Sequence, residues 1–363
     1  MTYRVIQWAT GGVGRSSISA IATHPELELV GCWVHGADKE GKDAGELAGV
    51  GKLGVAATRD VDALLAMDAD CVVYSPVIAN PEEIRRILES GKNVVTPLGW
   101  FYPKTLDTQK IEAACKKGNA TLHGTGIHPG GITERFPLVV SALSTRITHV
   151  RAEEFSDIRS YAAPQVVGEM MLFGKTPEEA AKSPMLKVLG GGFLQSVDMV
   201  ADAIGVELDP DKRSLHQMAV ASKPIENTPI GTIAPGRVAG QRFTWQGTVG
   251  GVPVVSAIVN WMMGPEHLEP ANAESQVPHG WSFGSEGERF EVEVTGEPPV
   301  HLTFHGLHPK TLDEDPNPGI AATAIHCVNA VPFACRAEPG IKTYLDLPPY
   351  WGTAHPRLRA KSR

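Results

Sequence analysis

The chain has 363 residues, 42% hydrophobic and 20% charged, which is too apolar and too weakly charged for a disordered polymer and long enough for two domains. Its 33 Lys and Arg stand against 41 Asp and Glu, a net charge of -8, the wrong sign for a protein that neutralises phosphates, so nucleic acid is not an expected partner. No run approaches the roughly 18 apolar residues of a membrane span, and five scattered cysteines without a C-x-x-C pair fit reduced thiols in a cytoplasmic protein, not a disulfide framework or a zinc site.

The first eight residues lack the charged start and apolar core of a secretory signal and read as a strand. The pattern predicts strands over 5–10, 27–34, 70–76, 93–97 and 120–123, alternating with helices over 15–24, 61–67, 81–90 and 108–117. Strands that alternate with helices and are apolar throughout argue for a doubly wound parallel sheet covered on both faces. From about residue 147 the pattern changes to α+β. Helices are expected over 177–182 and 193–204. A series of strands follows between 212 and 306, including 237–249, 252–263, 289–295 and 300–305, expected as an antiparallel meander in one sheet. Ala321, Ala324, Ile325, Val328 and Val331 then recur at helical spacing, which predicts a helix over 320–335 returning to the first domain. Residues 356–363 read as a frayed, cationic end. The domain boundaries expected are 1–135, 136–318 and 319–363.

Between the first strand and helix lies Ala9-Thr10-Gly11-Gly12-Val13-Gly14-Arg15, a G-x-G-x-x-G fingerprint with Ala9 in the place of its first glycine. Set between strand and helix, this pattern points to dinucleotide binding on a Rossmann-type sheet: Gly11 lets backbone approach a pyrophosphate, Gly14 permits close helix–strand packing, and the helix start offers free N–H donors. The second strand ends at Val34-His35-Gly36-Ala37-Asp38-Lys39 without a carboxylate at its tip. Arg15, His35 and Lys39 therefore offer a receptor for a 2'-phosphate, which favours NADP over NAD, although Arg15 and Lys39 also read as ordinary surface charges.

Other patterns carry less. Gly280-Trp281-Ser282-Phe283-Gly284 matches a nucleophile elbow without the strand before it and helix after it. His301 and His305 lie about 13 Å apart along a predicted strand, too far for one metal ion. Glu153-Glu154 and Glu178-Glu179 read as solvated faces or helix starts. Two stretches beyond strand ends remain: Leu98-Gly99-Trp100-Phe101-Tyr102, and Gly124-Thr125-Gly126-Ile127-His128-Pro129. Trp100, Phe101 and Tyr102 are expected at the rim of a substrate pocket, favouring an apolar small molecule. His128 is the first candidate for a proton donor, with Glu154 and Asp157 after it.

The runs V-I-Q-W-A-T-G-G-V-G-R, D-A-G-E-L-A-G, A-D-C-V-V-Y-S-P, G-K-N-V-V-T-P, G-T-G-I-H-P-G and A-T-A-I-H-C-V-N-A-V-P-F together resemble the 2,4-diaminopentanoate dehydrogenase and native amine dehydrogenase family. The resemblance implies an architecture like dihydrodipicolinate reductase, with a Rossmann domain and an α+β domain whose sheet serves a homodimer. It implies hydride transfer between NAD(P) and an amine or imine carbon. Gly11, Gly14, Ser75, Pro76, Gly124 and Thr125 would then line the dinucleotide, with Thr10, Gly12 and Val13 completing the loop and Asn329 near the nicotinamide. One departure stands out: the family carries an acidic residue after the fifth strand, and Leu98–Phe101 holds none. The expectation is an NAD(P)-dependent oxidoreductase acting at C=O or C=N, the alternative a catalytically silent dinucleotide-binding sensor or scaffold.

Overall fold

The computed structural model describes residues 2–161 and 163–359. They form two compact units, one made of the chain up to Gly131 together with the part from Ile320 onward, the other of Ile132–Gly319.

In the first unit β1 (Tyr3–Trp8), α1 (Gly12–Thr23), β2 (Leu27–Trp33), α2 (Ala44–Ala48), β3 (Ala57–Thr58), α3 (Val61–Ala66), β4 (Cys71–Tyr74), α4 (Pro81–Glu89), β5 (Asn93–Thr96), α5 (Gln109–Gly118) and β6 (Thr121–Gly124) follow one another. All strands are parallel, in the order β6-β5-β4-β1-β2-β3. Strand direction of growth reverses beside β1, the point at which doubly wound sheets bind their ligands. Alternate residues point to opposite faces, and both faces are buried. Val5, Cys32, Val73 and Val95 pack with Ile18 and Ile21 of α1 and with Val328 and Val331 of a closing helix, Pro318–Ala334. Ile6, Trp8, Val72, Val94 and Leu122 pack with Leu64, Ile84, Ile87 and Ile111 of α3, α4 and α5. This explains the unbroken apolar strands. A further strand, Gly340–Lys342, extends the sheet beside β6 in parallel; three residues leave too little pattern to be read in advance. Of the cationic end, Arg359 donates to the Thr23 carbonyl at 2.8 Å, while Lys361 and Arg363 lie outside the described residues.

The second unit contains α6 (Phe136–Ser141), β7 (Thr145–Asp157), α7 (Pro177–Ala180), α8 (Met185–Ala203) and strands β8 (Arg213–Ala221), β9 (Ile225–Thr228), β10 (Gly231–Ile233), β11 (Val238–Val249), β12 (Val252–Met262), β13 (Leu268–Pro270), β14 (Arg289–Glu297) and β15 (Val300–Phe304). Its main sheet runs β13-β8-β11-β12-β7-β14-β15. The expected meander is corrected at one place: β7, which precedes the helices in the chain, inserts between β12 and β14 and pairs with β12 in parallel. Helix α8 also begins eight residues before the predicted start, because Met185 and Gly190 are buried with the rest of its inner face. Phe193 of α8 stacks on Trp245 at 4.4 Å and 3°.

The reading of Glu153-Glu154 as a solvated pair is overturned, because neighbours on a strand face opposite sides of the sheet. Glu153 is 1% exposed and accepts from Arg242 at 2.7 Å and from Arg151. Glu178 and Glu179 do sit in the first turn of α7, behind a Thr176 cap. Trp245 is fully buried beneath α8, so Trp245→Ala should cost about 3–5 kcal/mol in a denaturation curve; a loss below about 1 kcal/mol would show that α8 does not seal this core.

Candidate functional site

Strand β1 delivers the chain to its glycine loop under tight control. Gln7 is fully buried, and its side-chain amide donates to the Ala9 carbonyl at 3.0 Å and to Ser75 Oγ at 2.9 Å. Ala9 adopts φ +77, the left-handed conformation that glycine takes at little cost. The alanine thus reproduces the turn of the first fingerprint glycine at the expense of local strain. The held carbonyl explains the last glycine: a Cβ on Gly14 would lie 2.1 Å from Ala9 O. Gly11 caps α1 without any side-chain partner, and a Cβ there would meet nothing within 4 Å. The first turn of α1 holds no acidic residue. Free N–H donors, the positive end of a helix and open space above Gly11 suit a pyrophosphate.

Ser75 N–H donates to Trp8 O at 3.1 Å, placing Ser75 beside the loop at the end of β4. On the other flank, Lys39 Nζ donates to Thr10 O and Thr10 Oγ1 at 3.4 and 3.3 Å. This sequence-read cation is therefore anchored on the loop, while the His35 ring lies 6.1 Å from that of Trp33, just past the end of β2.

At the ends of β5 and β6 two loops meet. A Cβ on Gly124 would lie 2.1 Å from Gly99 O and 2.6 Å from Trp100 O. Trp100 takes φ +55. Phe101 is only 2% exposed, so its place is in the interior rather than at a rim; Trp100 and Tyr102 are partly buried. Thr125 N–H donates to Thr96 O at 2.9 Å, and the Thr125 hydroxyl enters a cluster that sequence reasoning missed. His326 Nδ1 lies 3.0 Å from Thr125 Oγ1, Tyr350 OH lies 2.8 Å from it, and Tyr344 OH is in contact with it. Tyr350 OH lies 3.1 Å from Tyr344 OH and 3.4 Å from His123 Nε2, while His123 Nδ1 lies 2.7 Å from Lys342 O. The only advance signal was I-H-C-V-N, which puts His326 and Asn329 three residues apart on one helix face. His128, in the same loop as Thr125, is partly buried and joined to Pro129 by a cis peptide.

The other two proton-donor candidates lie in the second unit. Glu154 Oε1 accepts from Ser156 Oγ at 2.7 Å and Trp261 Nε1 at 3.0 Å. Burial pushes its carboxyl up to about 7, against the pull of those two donors. Ser156 Oγ also lies 2.9 Å from His308 Nε2, and burial pushes His308 down to about 4. Asp157 is spent on Arg159, which donates to its two oxygens from Nε at 3.0 and 2.9 Å. Glu288, raised to about 7 by burial, accepts from Asp157 N–H at 2.5 Å. Trp261, Glu288 and His308 come from sequence positions more than a hundred residues after Glu154, so no local pattern announces them. Among the described residues no group of His, Cys, Asp and Glu is arranged to hold a metal.

A doubly wound parallel sheet with this loop at its switch point, together with an α+β unit, is an architecture suited to binding a dinucleotide. Comparison narrows the class. Residues 132–355 match the 2,4-diaminopentanoate dehydrogenase C-terminal domain, and residues 5–121 match the N-terminus of dihydrodipicolinate reductase. An amine dehydrogenase from Streptomyces virginiae is 31% identical across 94% of this chain and 95% of its own length. The 2,4-diaminopentanoate dehydrogenase of Acetoanaerobium sticklandii is 26% identical over 74% of this chain and 69% of its own. The solved amine dehydrogenase of Mycobacterium smegmatis shares the fold, with a TM-score of 0.76 at 21% identity, covering 97% of this chain and 98% of that one. The chain belongs to the 2,4-diaminopentanoate dehydrogenase family and is an NAD(P)-dependent dehydrogenase.

The raised Glu154 carboxyl makes a pH-dependent demand on stability. Its folded pKa of about 7 lies above the ordinary 4.5, so the stability that the protonated form contributes is complete below 4.5 and lost as pH rises toward and through 7. In paired denaturation curves, Glu154→Gln should gain on the wild type between pH 5 and pH 8; a constant gap would show an unperturbed carboxyl.

Proposed function

We propose that this dehydrogenase moves a hydride between NADP or NAD and the carbon of a C=O or C=N group in a largely apolar small molecule. The observation that carries the reading is the glycine loop: a held Ala9 carbonyl that only a glycine at position 14 can face, and an unobstructed helix start at Gly11. In this reading Thr10, Gly11, Gly12, Val13 and Gly14 receive the pyrophosphate, Ser75, Pro76, Gly124 and Thr125 line the rest of the dinucleotide, and Asn329 stands near the nicotinamide. Arg15, His35 and Lys39 select the 2'-phosphate, which favours NADP. When bound, the cofactor supplies the hydride chemistry; the chain supplies orientation and the proton.

The names of the amine dehydrogenase relatives support C=N as the reacting group. The absence of a carboxylate from Leu98 to Phe101 leaves C=O in the proposal and argues for an apolar substrate beside Trp100 and Tyr102. The candidates for the proton are His128, Glu154 and Asp157, of which Asp157 is already committed to Arg159. A homodimer in a cytoplasmic setting belongs to the same reading; the five cysteines are free thiols, and among the described residues no helix is long and apolar enough to cross a membrane.

Fluorescence titration with NADPH and NADH tests the site. Wild type should bind NADPH more tightly, Lys39→Glu should reduce or invert that preference, and folded Gly14→Val should lose at least tenfold in affinity, about 1.4 kcal/mol. Unchanged affinity in Gly14→Val would refute the loop. Turnover of ketones, with and without ammonium, and of primary amines then separates the dehydrogenase from a silent nucleotide-binding protein.

A further inference from the structure

We infer that His326 carries the proton of the reaction, with the hydroxyls of Thr125, Tyr344 and Tyr350 forming a charge-neutral relay behind it. The inference rests on the hydride-transfer reading above and assigns the group which that reading leaves among several candidates.

The position of the cluster is the first argument. Thr125 follows β6 at the carboxyl edge of the parallel sheet, where its N–H is bonded to Thr96 O at the end of β5, and that edge is where such sheets present ligands. The closing helix packs against this loop: a Cβ on Gly126 would touch Thr323 Cγ2 at 3.6 Å and Cys327 Sγ lies 3.6 Å from Thr125 O, with His326 one three-residue step from Thr323 and Asn329 one such step further round the helix. His326 therefore belongs to the same compact unit as the glycine loop, in the turn of helix next to Asn329.

The chemistry of the cluster is the second argument. The three hydroxyls make at least six close contacts with one another and with two imidazoles: Thr125 with His326 Nδ1 at 3.0 Å, with Tyr350 at 2.8 Å and with Tyr344, Tyr344 with Tyr350 at 3.1 Å and with His326 Nδ1 at 3.3 Å, and Tyr350 with His123 Nε2 at 3.4 Å. Three hydroxyl protons cannot fill six contacts at once, so each hydroxyl has a choice of partner and each serves as donor or acceptor. Such a set accommodates either neutral tautomer of His326. With Nδ1 bare, the Thr125 hydroxyl donates to it and Nε2 carries the proton; with Nδ1 protonated, it donates to Thr125 Oγ1 and Nε2 is a base. One fixed acceptor, such as a carboxylate, would hold a single tautomer.

A reversible dehydrogenase needs both states. In reduction the reacting carbon gains the hydride, the C=O or C=N bond becomes single, and the oxygen or nitrogen takes the proton from His326 Nε2. The Thr125 proton moves to Nδ1, a tyrosine proton moves to Thr125 Oγ1, and solvent restores the tyrosine. The imidazole ends neutral, as the other tautomer; before the next reduction Nε2 takes a proton from solvent while Nδ1 returns its own through the hydroxyls, and oxidation runs the transfers backwards. The solvent end falls at Tyr350, which is partly exposed, whereas Tyr344 and Thr125 are buried.

The test uses the full-length protein with NADPH and a panel of aliphatic and aryl ketones, with and without ammonium. His326→Asn should keep NADPH affinity within about threefold while kcat falls at least about a hundredfold. Tyr350→Phe should lose less, and should turn a bowed proton inventory in mixed H2O and D2O into a straight line. Nitrogen-15 spectra of histidine-labelled protein give a readout without turnover: His326 should be neutral at pH 7.5, and Thr125→Val should shift its tautomer balance. The inference is overturned if His326→Asn keeps kcat within about threefold of wild type, if His326 is an imidazolium at pH 7.5, or if nucleotide binds and no compound turns over. A hundredfold loss in His128→Asn or Glu154→Gln beside a fully active His326→Asn assigns the proton elsewhere. Failure of the wild type to bind either nucleotide would instead remove the hydride-transfer reading itself.

Discussion

The approach of Gly14 to the Ala9 carbonyl is the contact on which the turn from β1 into α1 depends. A helix can begin so close to the strand it follows only if the last fingerprint position has no side chain, since a Cβ would stand 2.1 Å from that oxygen. Two further features follow from it. The carbonyl must be held in place, which the buried Gln7 amide does while also bonding Ser75. The turn must also bend sharply, and Ala9 takes φ +77 to do so. A glycine would take this conformation without the penalty a Cβ incurs. The degenerate fingerprint is therefore a strained version of the usual turn with the same geometry.

The two units solve the burial problem in different ways, and this decides where polar chemistry accumulates. The parallel sheet of the first unit is covered on both faces by helices, so charge on β1 and β2 is confined to the exposed positions Arg4 and Glu28 near their starts, and polar groups collect toward and beyond the carboxyl ends, at Thr10, Ser75, Thr125 and the histidine and tyrosines around it. In the second unit α8 packs over the Phe243 and Trp245 face. The alternate residues of the same strands then carry Arg151, Glu153, Arg242 and Glu291, charges that are stable there because each meets an opposite partner.

Much of the first unit was legible in advance because its signals are local. Glycine spacing, Pro81 at the first turn of α4 and continuous apolar runs each report on neighbouring residues, and the predicted strands and helices differ from the observed ones mainly at their ends. The second unit was harder. Its long strand β7 comes before the helices yet pairs in parallel with β12, a partner about a hundred residues away, and nothing near β7 specifies that choice.

The sequence by itself determined the alternation of strands and helices, the glycine loop between β1 and α1, and hence the class of cofactor, because those depend on backbone conformation and periodicity within a few residues. Only the tertiary structure decided which side chains share a site. The Thr125 cluster joins residues 123, 125, 326, 344 and 350, and Glu154 meets Trp261 while Ser156 meets His308. The Phe101 ring turned inward for the same reason. Burial and hydrogen bonding are properties of the folded neighbourhood, and residues separated by two hundred positions carry no local pattern that records their meeting.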